Sequence, residues 1–344
     1  MRNIYDYTLG ELEDYFVSIG DKKFRATQVF DFLYKKRIEE PEKMMNIGTK
    51  CQKILQDNFS FEKIKLLIKQ EDVDVSKYLF ELLDGERIES VVMFHDYGIS
   101  ICVSSQVGCN MGCRFCESGR LKKVRNLEAY EIVQQILLIE EDIKKRITHV
   151  VMMGIGEPMD NYNNVMRFVK IINCGKGIGI GSRHITISTC GVIPGIEKFM
   201  QEEGQVNLAI SLHAPNDIIR KEIMPIASAY DMDSLFQVIK KYIQKTNRRV
   251  TMEYIMLDGI NDTDDCAREL AKKLKNMMCY VNLIPYNETE NIGYKRSKKP
   301  QILRFYDILK KENINVTIRR EFGGKVDAAC GQLRANNAVL KGEF

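Results

Sequence analysis

The chain lacks several things, and each absence removes a class of protein. No apolar run approaches the roughly 18 residues that a membrane span requires, and the opening Met1-Arg-Asn-Ile-Tyr-Asp6 has no signal-peptide pattern. Only 7 prolines are present and none builds a Pro-rich linker; no fixed-period repeat or low-complexity tract occurs either. Charge of one sign is also in short supply, with 51 Lys and Arg against 47 Asp and Glu, so the net +4 barely points to a polyanionic partner. These absences predict a cytoplasmic globular protein with no membrane contact. What remains is ordinary in bulk: 344 residues, 44% hydrophobic and 28% charged, suit one large domain with a small accessory one. The 10 cysteines are the exception. In a reducing compartment they are poor candidates for a structural disulfide framework, and their spacing must separate core packing from chemistry.

Residues 1–50 read as short helices over Thr8 to Ile19, Arg25 to Lys35 and Pro41 to Lys50, a small basic unit of the kind that faces nucleic acid or simply packs. Residues 51–94 form a connecting region of β-type runs, in which Lys77-Tyr-Leu-Phe and Ile88-Glu-Ser-Val-Val flank the turn signal Asp84-Gly85. Across residues 95–323, strand and helix patterns alternate. The strands are Ile99 to Ser104, His149 to Met153, His184 to Ser188, Val206 to Ser211, Val250 to Leu257 and Tyr280 to Ile284. The helices lie over Leu127 to Ile143, Asn163 to Ile172, Ile193 to Glu202, Met232 to Gln244, Asp264 to Asn276 and Pro300 to Glu312. Six successive βα units imply an α/β fold with a parallel sheet, either an open sheet or a partial barrel. Both place chemistry at the carboxyl ends of the strands. Residues 324–344 form a C-terminal segment.

The first of these strands runs into Cys109-Asn-Met-Gly-Cys113-Arg-Phe-Cys116. Three thiolates on one Gly-containing loop suit three irons of a cubane cluster and leave the fourth iron open. A zinc site competes, although structural zinc generally takes four ligands.

The C-x3-C-x-aromatic-C pattern, with Phe115 before the last cysteine, resembles the radical S-adenosylmethionine (SAM) superfamily. Further blocks follow in order: Met153-Gly-Ile-Gly-Glu-Pro158, Ile187-Ser-Thr-Cys-Gly-Val192, Ala209-Ile-Ser-Leu-His-Ala-Pro-Asn216, Val281-Asn-Leu-Ile-Pro-Tyr-Asn287 and Val326-Asp-Ala-Ala-Cys-Gly-Gln-Leu333. With Ser104-Ser-Gln-Val-Gly-Cys109 and the helical N-terminus, they are similar to the RlmN family of dual-specificity RNA adenine methyltransferases over nearly the whole chain.

The resemblance implies a partial (β/α)6 barrel that binds a 4Fe-4S cluster and uses two S-adenosylmethionine molecules per turnover. The product would be methylated at carbon 2 of an adenosine in the peptidyl transferase centre of 23S rRNA, and at adenosine 37 of some tRNAs. Carbon 2 of adenine lies between two ring nitrogens and cannot act as a nucleophile toward a sulfonium, so positioning alone would not deliver the methyl group. A radical route avoids that requirement, with the cofactor carrying the hard chemistry. In the family mechanism a cysteine is methylated, hydrogen is removed from its S-methyl group, and the resulting carbon radical adds to the base. A second cysteine then releases the product through a transient disulfide while a base takes the ring proton.

Matched position by position, Cys330 is the methyl-carrying cysteine, Cys102 the resolving cysteine and Glu89 the proton acceptor. Cys109, Cys113 and Cys116 hold the cluster, and Gly156, Glu157, Ser188, Ser211, Leu212, His213 and Asn287 contact the cofactor. Taken singly, Glu89 reads as a solvated strand carboxylate and His213 as a packing histidine. Cys51, Cys174, Cys190, Cys266 and Cys279 have no ligand spacing and read as core or incidental. The family also implies a flavodoxin or ferredoxin-type reductant and a monomer. Basic groups at Lys122 to Arg125, Arg248-Arg249, Lys295 to Lys299 and Arg319-Arg320 are candidate phosphate contacts. The chain departs from the pattern after Cys116, where Glu117-Ser118 replaces an expected small residue and threonine. The alternative within the family is Cfr-type methylation of carbon 8, which Pro158 after Glu157 disfavours. Outside it stands an iron–sulfur RNA-binding protein without catalysis, which Cys102, Cys330 and Glu89 argue against.

Overall fold

The computed structural model describes residues 1–202, 204–289 and 291–319. One 10-stranded sheet organises it. Three strands, Lys65–Glu71, Val75–Glu81 and Arg87–His95, form an antiparallel meander that joins Gly98–Cys102. From there every neighbouring pair is parallel, in the order His149–Met152, Ile185–Thr189, Asn207–Ser211, Val250–Met256, Cys279–Pro285 and Val316–Ile318. The six expected strands and the helix after each are present, and the parallel strands neighbour one another in chain order with no reversal, as in a partial barrel and unlike a doubly wound open sheet. The three-residue strand Val316–Ile318 adds a seventh parallel member. The connecting region is not separate from the barrel; its meander extends the same sheet.

The helices between the parallel strands are Ala129–Ile143, Tyr162–Asn173, Ile193–Phe199, Met232–Thr246, Asp264–Leu274 and Lys299–Lys311. They cover one face of the sheet: Val250, Met252, Tyr254 and Met256 alternate along their strand, so they share a face, and all are fully inaccessible. The alternate residues Glu253 and Ile255 point to the other face and line the cavity.

The N-terminal unit differs from the expected helices in one place. Leu9–Ser18 and Phe24–Asp31 form as anticipated, the first with a reciprocal Thr8–Glu11 capping box. The third helix does not span Pro41 to Lys50. A single 3-10 turn occupies Pro41–Lys43, and the α-helix runs over Thr49–Asn58. Asn46 and Gly48 both have left-handed backbones, φ +71° and +81°, which interrupt a right-handed helix between the two. That helix therefore crosses residue 50, and the two-residue strand Arg2–Asn3 pairs with Phe59–Ser60 beyond it. The unit docks on the barrel helices through apolar packing and through ion pairs from Arg167 to Glu11 (2.6 Å) and from Arg37 to Glu140.

Candidate active site

Because the core strands are parallel, the residues that follow them gather at one end, where they enclose a cavity of about 350 Å³. Its lining brings together Glu89, Cys102, Cys109, Cys113, Cys116, Gly156, Glu157, Ser188, Ser211, His213 and Asn287. Two expected site residues are not among them. The Leu212 side chain sits in the hydrophobic core, and its N–H donates to the Glu253 carbonyl of the neighbouring strand at 3.1 Å. Cys330 lies outside the described residues.

The cysteine loop is held by its backbone. Cys109 N–H donates to the Leu121 carbonyl at 2.9 Å, Arg114 N–H to that of Ile223 at 2.9 Å, and Cys116 N–H to that of Cys113 at 3.1 Å. Gly108, at φ +75°, packs so tightly that a Cβ would lie 2.0 Å from the Lys122 carbonyl oxygen, so no side chain fits there. Burial pushes the Cys109 thiol up to about 12, and burial together with the neighbouring Cys116 and Cys109 raises Cys113 well above its ordinary value. Three half-buried thiols crowded in this way become thiolates most readily against strongly positive metal. Among the described residues, no three ligand-type side chains converge on the shell of a single ion. A mononuclear site needs that convergence, whereas a cubane puts each thiolate on a different iron. The donor set therefore fits a cluster better than zinc.

Next to the loop, Glu157 is buried and spans two strand ends. Its Oε1 accepts from Met159 N–H at 3.0 Å and its Oε2 from Cys190 N–H at 2.8 Å, while burial raises its pKa. His213 adopts a left-handed backbone (φ +58°), and its Nδ1 accepts from Ile255 N–H at 3.0 Å. Its ring meets Phe115 edge-on, with centroids 4.9 Å apart. Burial, assisted by the positive charge of Arg220, lowers its pKa to about 3, so the imidazole is neutral in the folded state near pH 7. Asn261 clamps this corner, donating to the His213 and Ile255 carbonyls at 2.7 Å each and accepting from Leu257 N–H at 2.8 Å. Arg220, wholly buried, donates to the carbonyls of Cys190 (2.7 Å) and Leu212 (3.3 Å).

The opposite wall carries the acid–base candidates. Glu89 Oε2 lies 3.1 Å from Lys77 Nζ, and both side chains are almost fully buried. Cys102 pairs with Val91 across the adjoining strand, and burial pushes its thiol up to about 11. Glu253 accepts from Asn282 at 2.8 Å, and burial raises its pKa. Arg319 completes this wall.

Sequence reasoning singled out neither Lys77 nor Glu253 and gave Arg319 only a phosphate role, yet all three line the cavity. The available signal was a charge embedded in an apolar strand run, as in Lys77-Tyr-Leu-Phe and Met252-Glu-Tyr-Ile. Cys190, expected to be core or incidental, also lines the cavity. The basic groups divide differently from expectation. Arg125 is held by Glu131 at 2.8 Å and by Asp84 at 2.6 Å, and Lys123 by Asp160 at 2.7 Å. Arg248 and Arg249 precede the strand Val250–Met256 and so lie at the end of the sheet away from the cavity.

This cavity, with three thiols on a loop beyond the first strand of a partial barrel, defines a radical S-adenosylmethionine enzyme. The Radical SAM superfamily model matches residues 103–274, and the ribosomal RNA large subunit methyltransferase N-terminal domain model matches residues 2–60. A relative from Enterococcus faecalis, described as a "Probable dual-specificity RNA methyltransferase RlmN", is 52% identical over 342 residues, covering 97% of this chain and 96% of its own. One of the same description from Spiroplasma citri is 48% identical over 341 residues, covering 98% of both chains. The crystal structure of a radical SAM methyltransferase from Sphaerobacter thermophilus superposes with a TM-score of 0.91 at 37% identity, covering 96% of this chain and 99% of that one. The chain belongs to the RlmN family of dual-specificity RNA methyltransferases within the radical SAM superfamily, and it is an enzyme. That family implies a 4Fe-4S cluster, S-adenosylmethionine and an RNA substrate.

Proposed function

We propose that this enzyme methylates carbon 2 of an adenosine in the peptidyl transferase centre of 23S rRNA, and adenosine 37 of some tRNAs. The observation that carries the reading is one cavity whose lining brings Cys102 and the Glu89–Lys77 pair together with the three cluster thiols and Glu157. When bound, the cluster and S-adenosylmethionine supply one-electron cleavage chemistry that generates a carbon radical; two cofactor molecules are used per turnover. Cys109, Cys113 and Cys116 would hold the cluster. Gly156, Glu157, Ser188, Ser211, Leu212, His213 and Asn287 would position the cofactor, Leu212 through its backbone. Cys330 carries the methyl group, and Cys102 attacks the Cys330 sulfur so that the S–C bond to the product breaks as a transient S–S bond forms. Glu89 accepts the proton leaving carbon 2, with Lys77 holding one carboxylate oxygen toward the wall. The N-terminal unit faces the RNA, a flavodoxin or ferredoxin-type protein supplies electrons, and the enzyme works as a monomer.

The test is mass spectrometry of rRNA and tRNA nucleosides from cells with and without the gene, with a Cys102→Ala strain as a third arm. Carbon-2 methyladenosine that disappears with the gene, and an RNA adduct on the variant protein, are expected. Carbon-8 methyladenosine instead would assign the chain to the Cfr-type reaction. No gene-dependent methylation, or clean turnover by Cys102→Ala, would sink the proposal.

A further inference from the structure

Two buried polar atoms in the cavity wall make no hydrogen bond of normal geometry among the described residues, and neither belongs to the residues assigned above. Glu117 follows the last cluster cysteine and its side chain is only 1% exposed. Arg120 Nη1 approaches Oε2 at 3.3 Å, but the buried Oε1 has no hydrogen bond among the described residues. Tyr286, at the end of the strand Cys279–Pro285, is 3% exposed, and its buried hydroxyl makes no hydrogen bond of normal geometry among the described residues, with only the Thr289 side chain beside it. Both residues line the same cavity. They are close enough to sense each other: burial is the main cause of the raised Tyr286 pKa, the Thr289 side chain beside it works against the rise, and the Glu117 and Cys116 charges add to it. An unpaired buried carboxyl oxygen and phenol each carry a desolvation penalty, which a ligand of matching pattern would relieve.

We propose that Glu117 and Tyr286 together read the edge of an adenine ring. The inference rests on the assignment of this cavity to cofactor and target adenosine. A carboxyl oxygen accepts and a phenol O–H donates; adenine presents a complementary amino donor beside a ring-nitrogen acceptor, on either its N1 or its N7 side. A 6-oxo purine such as hypoxanthine or guanine turns an acceptor toward the Glu117 oxygen and is rejected. Glu117 is where this chain departs from the family pattern, so it would carry a specificity contact that a small residue at that position does not provide. Two adenines enter such a site, that of S-adenosylmethionine and that of the RNA target, and the chemistry of recognition is the same for both.

The experiment uses anaerobically reconstituted full-length enzyme, with iron content and circular dichroism confirming loading and folding of each variant. Equilibrium binding is measured for S-adenosylmethionine and its 6-oxo (inosyl) analogue, and separately for 23S rRNA transcripts carrying adenosine or inosine at the target position. For one of these pairs, the wild type prefers the amino ligand by about tenfold or more, the scale set by leaving a buried polar group unpaired. Glu117→Ala lowers affinity for that amino ligand by a similar factor. Glu117→Gln, whose amide can donate to the 6-oxo group, narrows the preference to about threefold or less, and Tyr286→Phe weakens the same ligand. The pair that responds identifies which adenine is read. Unchanged affinity and unchanged discrimination in Glu117→Ala and Glu117→Gln, for both pairs, overturn the proposal. Should Glu117→Ala lose its cluster, Glu117→Gln and Tyr286→Phe still decide. A wild type that binds with this preference but makes no methyladenosine would refute the functional reading and leave this inference standing.

Discussion

At the scale of the residue, His213 shows how the site is built against its own titration. Its folded pKa of about 3 lies far below the ordinary 6.5. Between those values the unfolded chain binds a proton that the folded chain does not, so this residue subtracts stability as pH falls from about 6.5 toward 3 and has no such effect above that window. Asn is the fitting replacement, since its Oδ1 can stand in for the Nδ1 acceptor of Ile255 N–H and it tolerates the left-handed backbone at φ +58°. His213→Asn is expected to flatten the loss of urea stability between pH 7 and 5 relative to wild type. An equal slope in both proteins would show that the imidazole is not kept neutral by its surroundings. His213→Ala, which leaves the Ile255 amide unpaired, should cost about 1–3 kcal/mol at pH 7.

At the scale of the element, the parallel strands were legible because each is a short apolar run followed by a helical pattern, and the residues after them were legible as ordered motifs. What could not be read was how those strand ends are tied to one another. The Asn261 amide joins the His213, Ile255 and Leu257 backbones through three bonds that no spacing rule announces. Lys77 reaches Glu89 for a similar reason: the antiparallel register sets Lys77 opposite Val91 and Leu79 opposite Glu89, so Lys77 and Glu89 are diagonal neighbours on one face. Register of that kind follows from the whole sheet. The shift of the third helix to Thr49–Asn58 escaped as well, because it depends on two backbone angles at Asn46 and Gly48. The strand Val316–Ile318, only three residues long, has no periodicity to detect. The clamp makes a sharp prediction: Asn261→Ala should cost about 2–4 kcal/mol in urea unfolding, by freeing several buried backbone groups at once, and should weaken S-adenosylmethionine binding through the displaced His213 turn. A loss of cofactor affinity with no loss of stability would mean that the clamp is not a structural one.

At the scale of the whole molecule, one contact shows how the N-terminal unit is bound to the barrel. The hydrophobic core runs without interruption from Leu12, Phe16, Phe30 and Tyr34 into the barrel helices and sheet. A continuous core of this kind favours a single cooperative unfolding transition over two separate ones. Gly177, in the loop after Tyr162–Asn173, lets the barrel approach the aromatic pair closely: a Cβ there would meet Phe30 Cε1 at 2.8 Å and Tyr34 Cδ2 at 3.3 Å. Both rings are essentially buried, so neither can swing out of the way cheaply. Gly177 is absent from the cavity lining, which makes it a probe of docking rather than of chemistry. Gly177→Leu is therefore expected to separate the two parts: limited proteolysis should release the region before residue 61 faster than in wild type, and the thermal transition should broaden or split. Affinity for S-adenosylmethionine should stay within about twofold of wild type, since the strand ends that form the cavity are not displaced. Affinity for RNA should fall if the N-terminal unit faces the substrate, because the two binding surfaces would no longer be held in register. A single sharp transition with wild-type protease resistance would show that the aromatic contact does not govern docking.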